Sequence, residues 1–345
     1  MADISVIIPT YNRHHYLERI LKYYDNSGFD IWVLDSTETK YENNNNFNIN
    51  YIHTPNLIPF LKIKAGLKMI ETEFAVFCAD DDFAIKDSIK ECANFLIKNP
   101  DYSCVQGVFV SFNIPKNDET TQFELTNPYS LIYSQEEENT SKRIIEGMAR
   151  YMHTFYSVQR TSCTKKVWEN IPLITRYNLF EIVQAIGMLI MGKYKMLPIS
   201  YAFRELPDKP PSAEFRENID IIAISPLFQE EYNIAIDFMA SLLKGETNST
   251  LSQCKQDINK ALNAYINDFL PWCISGGIKS ISVIDKIPSL KWRFEKLQRD
   301  FFNRKVQKEL TKTGLSFEHN SFIISNDEKN ENVQKIKNII IDFYK

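Results

Sequence analysis

The sequence has no cysteine pair at C-x-x-C spacing: its six cysteines, at 78, 92, 104, 163, 254 and 273, stand far apart. Most fall within apolar runs, which excludes a disulfide framework and a structural zinc site and predicts reduced core thiols. The five histidines form no cluster either, and His53, in Tyr51 to Pro55, has no partner at ligand spacing. No apolar run suffices for a membrane span; the longest, Leu179 to Met191, is interrupted by Glu181 and Gln184. The opening MADISVIIPTYNR turns polar too soon for a signal peptide. Charge of one sign does not dominate: 40 Lys and Arg stand against 44 Asp and Glu, a formal net charge of −4, so nothing argues for nucleic acid as a partner. Glycine is missing after the first apolar run, which ends in Pro9-Thr10-Tyr11-Asn12-Arg13; this speaks against the glycine-rich phosphate loop of a sugar nucleotidyltransferase. These absences predict a soluble cytoplasmic protein.

What is present fits a globular chain: 345 residues, 44% hydrophobic and 24% charged, enough for two or three packed units. Ile4 to Ile8 is a β-branched run halted by Pro9 and reads as a buried strand. Leu17, Ile20, Leu21 and Tyr24 give one apolar helical face, with Gly28 as its stop. Strands are predicted at Phe29 to Leu34 and Ile49 to His53, and a helix marked by Phe60, Ile63, Leu67 and Ile70 follows the second. After the strand beginning at Phe74 comes a helix with Ile89, Cys92, Ala93, Leu96 and Ile97 on one face, and then a strand from Cys104 to Phe112. This alternation predicts an α/β fold with a mainly parallel sheet.

Residues 74–83 read FAVFCADDDF, an apolar run ending in Asp80, Asp81 and Asp82. Three adjacent carboxylates beside a core repel one another and are costly when ionised unless a cation compensates. Hard oxygen ligands suit Mg2+ or Mn2+, which clamp phosphorylated substrates; a solvated acidic turn is the plain alternative. In parallel sheets ligands bind beyond the carboxyl ends of strands. Thr10-Tyr11-Asn12, Asp35, His53 to Asn56 and Asp80 to Asp82 all fall at such ends, which favours one site over unrelated turns.

The stretch from Pro115 to Ser141, with Glu136-Glu137-Glu138, is polar and acidic and reads as a solvated loop. Helices are predicted at Arg143 to Arg150 and Leu179 to Met191, with strands at Tyr156 to Arg160 and Lys195 to Phe203. Beyond residue 215 the pattern is helical, at Leu227 to Leu243, Ser252 to Phe269 and Leu290 to Leu310. The expected organisation is 1–114 and 115–214 as two halves of one α/β unit, with 215–345 as a helical region.

SVIIPTYNR, WVLDST and FCADDDFAIKDSI together resemble the family 2 glycosyltransferases. The likeness is good over residues 3–112 and loose to about 205; ADDDF with a long helical tail looks like the bacterial surface-polysaccharide transferases. The resemblance implies a GT-A fold, a nucleoside-diphosphate sugar donor of UDP or GDP type, a divalent metal and inversion at the anomeric carbon. The acceptor it implies is a hydroxyl of a surface glycan or lipid-linked glycan. Carried over, it places Pro9, Thr10, Tyr11 and Asn12 against the nucleotide, with Tyr11 a base contact or else a core aromatic. Asp35 would accept from an imide or guanine N–H, or else form a turn. Lys64 would face base or phosphates, or else be a solvated helix lysine. Asp81 would contact the ribose, Asp82 the metal, and Asp80 lies beside them.

The general base in that family is an acidic residue near the start of a helix in the second half; Glu181 in NLFEIVQAIG matches by position. The match departs from the family's usual Glu-Asp pair, since Ile182 follows. A helix N-terminal glutamate favoured by the dipole is the structural alternative, and Glu146 and Glu169 are weaker candidates. Arg204 reads as a phosphate or acceptor contact or as an ion-pair partner of Glu205 or Glu181; His153 reads as a core or loop histidine. Between Lys291 and Lys312 eight basic residues face three acidic ones beside a stripe of Leu290, Phe294, Leu297 and Phe301. A basic amphipathic helix over 290–312 can make a peripheral contact at the inner face of a membrane, or pack as an ordinary domain helix. A degenerate nucleotide- or carbohydrate-binding module is the non-enzymatic reading.

Overall fold

The computed structural model of the protein describes residues 3–113, 124–128, 133–205, 219–269 and 331–344. Among the described residues nine strands form one sheet: β1 (Ile4–Thr10), β2 (Asp30–Asp35), β3 (Asn50–His53), β4 (Phe74–Phe77), β5 (Phe83–Ala84), β6 (Tyr102–Asn113), β7 (Glu124–Pro128), β8 (Val158–Arg160) and β9 (Lys193–Glu205). Their order is β3-β2-β1-β4-β8-β6-β9-β5, with β7 paired to β6. Pairs β1–β2, β1–β4, β2–β3 and β6–β9 are parallel, whereas β8 runs antiparallel between β4 and β6 and β5 antiparallel to β9. The sheet is therefore mixed. The local pattern marked most of the strands, but it does not carry the insertion of β8 between two strands that precede it in the chain.

The described residues contain ten α-helices: α1 (His14–Tyr24), α2 (Pro59–Leu67), α3 (Lys86–Lys98), α4 (Thr140–Ala149), α5 (Thr161–Asn170), α6 (Tyr177–Met191), α7 (Ile219–Ile224), α8 (Gln229–Glu246), α9 (Leu251–Ala264) and α10 (Glu331–Tyr344). Alternate residues of β1 serve opposite faces of the sheet. Val6 and Ile8 pack with Leu17 and Ile20 of α1 and Ile89 and Leu96 of α3; Ile7 packs with Phe60 and Ile63 of α2 and the helices from α4 to α9. Ile97 turns outward at 51% exposure, because α3 has a narrower buried face than its apolar content suggests.

α6 is apolar on almost every side because it is enclosed, lying between the sheet and α4, α5 and α8. No helix among the described residues is long and apolar enough to cross a membrane. Among the described residues after 215, helices α7, α8, α9 and α10 account for the regular structure. The basic stretch 290–312 lies outside the described residues.

Candidate active site

Register sets the site. Thr10 pairs with Asp35 and Asp35 with His53, so the carboxyl ends of β1, β2 and β3 form one row. The loops beyond them are tied together: Ser36 N–H donates to Thr10 O at 3.2 Å, and Asn56 N–H to Ser36 O at 2.8 Å. Asn12 and Asn56 take left-handed backbone angles, φ 55° and 57°, which asparagine tolerates better than most residues. Asn12 N–H donates to Thr37 Oγ1 at 2.8 Å. Tyr11, between them, projects outward at 51% exposure, and Pro9 is half-buried.

Asp35 is fully buried. Its carboxylate accepts from Thr37 N–H at 2.8 Å and Tyr51 Oη at 2.7 Å, and His14 Nε2 lies 2.7 Å away. Burial pushes its pKa up, but the hydrogen bonds from Thr37, Tyr51 and His14 outweigh it and hold the group below the ordinary carboxylate value. His14 also meets Tyr41 edge-on at 5.4 Å, so an aromatic wall flanks the strand end.

The buried cation of this end is Lys62, two residues before the sequence candidate Lys64. Lys62 Nζ donates to Thr10 O at 2.6 Å and Ser36 Oγ at 2.9 Å, and desolvation lowers its pKa to about 8 against Asp35 and Asp80. Lys64 is half-buried and donates to Ile171 O at 3.0 Å, tying α2 to the chain after α5. The missed signal was Gly66, four residues beyond Lys62. A Cβ there would fall 2.5 Å from Leu34 Cδ2, so α2 lies against β2 and turns the Lys62 face inward.

The acidic loop is held from both sides. Asp80, nearly fully buried, accepts from Thr10 Oγ1 at 2.7 Å and pairs with Arg13 at 3.1 Å. Burial pushes it up to about 6, opposed chiefly by Arg13. Asp81 pairs with the same guanidinium at 2.5 Å. Asp82 is buried; its Oδ1 accepts from Glu205 N–H at 3.1 Å and its Oδ2 lies 3.7 Å from Arg204 Nε. Burial, then the like charge of Asp81, raises the Asp82 pKa well above the ordinary value despite Arg204. β5 delivers these contacts, since Phe83 and Ala84 pair with Phe203 and Ala202 of β9. Among the described residues no group of three or more His, Cys, Asp or Glu is gathered to hold a metal. A buried carboxylate whose charge is incompletely offset suits one protein ligand to a cation completed by substrate phosphates and water, the usual arrangement for Mg2+.

Arg204 also lies 5.5 Å over the Tyr156 ring. Burial pushes the Tyr156 phenol well above its ordinary pKa; Tyr177, Asp82 and Glu181 add to the rise while Arg204 opposes it. Tyr156 therefore stands in the field of both Asp82 and Glu181. Glu181 is half-buried in the first turns of α6, whereas Glu146 on α4 and Glu169 on α5 are exposed. His153 meets the buried Tyr151 edge-on at 5.0 Å. Arg13 ends the SVIIPTYNR motif but was given no role there, and Lys62, Arg19 and Tyr156 carry no motif of their own.

Carboxylates and polar loops are gathered beyond parallel strand ends, where α/β folds bind their ligands. The profile of glycosyl transferase family 2 matches residues 5–168, from β1 through most of α5. Over that stretch, a little under half of the chain, the sequence is similar to glycosyl transferase family 2. Two curated relatives, the poly(ribitol-phosphate) β-N-acetylglucosaminyltransferase TarS of two Staphylococcus aureus strains, are 29% identical over 109 residues. The match covers 28% of this chain and 19% of the relative's own length. The crystal structure of S. aureus TarS 1–349 with UDP-GlcNAc covers 91% of this chain and 93% of that one, at 15% identity and TM-score 0.55. The same fragment with UDP gives TM-score 0.50 at 15% identity. These structures share the GT-A-type fold.

Proposed function

We propose that the protein transfers a sugar from a uridine-diphosphate donor to a hydroxyl of a bacterial surface glycan or lipid-linked acceptor, with inversion and a divalent metal. The observation that carries this reading is the buried Asp82 at the end of the apolar strand, met by the Glu205 N–H and by Arg204, whose guanidinium lies over the Tyr156 ring. A buried carboxylate beside a guanidinium at the strand ends suits a cation-bound diphosphate. Uridine is favoured over guanosine because TarS 1–349 was crystallised with UDP and UDP-GlcNAc. A surface polymer is favoured as acceptor because TarS is named for poly(ribitol phosphate).

Asp82 would hold Mn2+ or Mg2+, with Asp81 at the ribose and Asp80 fixing the loop to Thr10. When bound, the metal supplies positive charge against the diphosphate. Pro9, Thr10, Tyr11 and Asn12 would form the nucleotide wall. Asp35 would meet the base, where an imide N–H would compete with Tyr51 and His14 for the same carboxylate. Lys64 would have to leave Ile171 O to reach a phosphate. Glu181 would take the acceptor proton as the hydroxyl attacks the anomeric carbon opposite the departing diphosphate. Residues 1–114 and 115–214 would be the donor and acceptor halves of the GT-A unit, with 215–345 the helical region and 290–312 its peripheral membrane contact. The protein would act in the cytoplasm.

Calorimetric titration of UDP and of GDP, each with and without Mn2+, tests this reading. Metal-dependent binding of UDP is expected. Binding of neither nucleotide would favour a degenerate module or another donor.

A further inference from the structure

The last helix, α10, packs on α1. Ile336 and Ile340 are fully buried in the cluster formed by β1, α1 and α3. From this position Phe343 reaches the flank of the acidic loop. Its ring stacks on His15 at 5.8 Å, meets Tyr16 at 5.4 Å, and lies 5.0 Å from the Arg19 guanidinium carbon. Arg19 is only 2% exposed. Tyr16 at 4.7 Å and Phe83 at 5.1 Å complete an enclosure of three rings around it.

The two terminal nitrogens of Arg19 point to different parts of the site. One donates to Asp81 O at 2.8 Å and the other to Glu205 Oε2 at 2.6 Å. Tyr16 Oη also donates to Glu205, at 3.4 Å, and Glu205 N–H in turn donates to Asp82 Oδ1 at 3.1 Å. A single rigid fork thus fixes the backbone between Asp80 and Asp82 and the strand end that meets Asp82. A planar guanidinium suits such a two-way link, and ring faces hold its plane where an ammonium would rotate freely.

We propose that Arg19 is a positioning residue for the acidic loop and that the aromatic ring of Phe343 sets its orientation, making α10 a structural part of the donor site. The inference rests on reading that loop as the donor site. Without the ring, water reaches the guanidinium, its plane is free to turn, and Asp81 O loses a fixed donor. The loop then loosens, while Glu181, on another element, is unaffected.

The test uses full-length Phe343→Leu, which keeps apolar volume but removes the ring, and Phe343→Tyr, which keeps it. Amide hydrogen exchange over residues 79–85 and the affinity for UDP with Mn2+ are read on each. Phe343→Leu should speed exchange in that loop and weaken UDP, by up to about tenfold, and Phe343→Tyr should restore both. Equal behaviour of the two variants overturns the proposal. If exchange over 331–344 shows that α10 itself has come away in Phe343→Leu, Arg19→Lys decides. Lysine keeps the charge without the fork, so the loop should loosen with α10 still protected; an unchanged loop overturns the proposal. A wild-type protein that binds no UDP would defeat the donor-site reading, while the exchange measurements would still judge Arg19 and Phe343.

Discussion

The backbone N–H of Glu205 donates to the Asp82 carboxylate at 3.1 Å, joining residues 123 positions apart. This bond closes the acidic loop against the end of β9 and brings Arg204 beside it. The site is therefore built by two distant parts of the chain, and its energetics belong to the pair.

Asp82→Asn should separate stability from activity. Burial and the neighbouring Asp81 disfavour the Asp82 charge, so the neutral amide removes a cost of the free protein. The variant should melt no lower than wild type while sugar transfer falls by about 100-fold or more, since charge stabilisation at a leaving diphosphate amounts to several kcal/mol. Calorimetric melting and donor turnover check both halves. A variant that loses stability as well as activity would make Asp82 a structural residue.

Glu181→Gln should leave UDP affinity intact and lower kcat by about 10²–10⁴-fold, the range for a lost general base. Parallel UDP titration and transfer assays separate the effects. Near-normal turnover would move the base elsewhere.

Asp35 should support stability in a defined pH window. Its folded pKa lies below the ordinary 3.8, so its contribution is present above 3.8 and is lost as the pH falls further through the folded value. Denaturant midpoints of wild type and Asp35→Asn should therefore converge on acidification below 3.8. A gap independent of pH would mean that the carboxylate charge is irrelevant to folding.

Lys62 works in the opposite direction. Its pKa falls from 10.5 to about 8 in the folded protein, so between these values the unfolded chain binds more protons and stability rises with pH. The stability of wild type relative to Lys62→Met should grow across that window in urea melts. At neutral pH the variant also leaves Thr10 O and Ser36 Oγ without their donor, a loss of about 1–3 kcal/mol for buried groups. A flat difference across the window would place the ammonium in solvent.

Much of the site was legible locally, because a strand end writes its own signature. Thr10, Asp35 and Asp80 each follow a β-branched or apolar run, and one strand register brings them together. Lys62 was hidden because a lysine in an amphipathic helix normally faces water, and only the close approach of α2 to β2 at Gly66 turns it inward. The ring of Phe343 was beyond reach for another reason: residue 343 and residue 19 are linked by no local pattern, only by the docking of α10 on α1.

By itself the sequence determined the α/β alternation, the apolar faces and the acidic run, since side-chain periodicity and solvation act over a few residues. Only the tertiary structure decided that β8 enters the sheet antiparallel between β4 and β6. It likewise decided that β9 turns Arg204 and Glu205 onto Asp82, and that the last helix returns to the first. These are contacts between segments whose pairing depends on how whole faces pack, and packing energies carry no local mark in the chain.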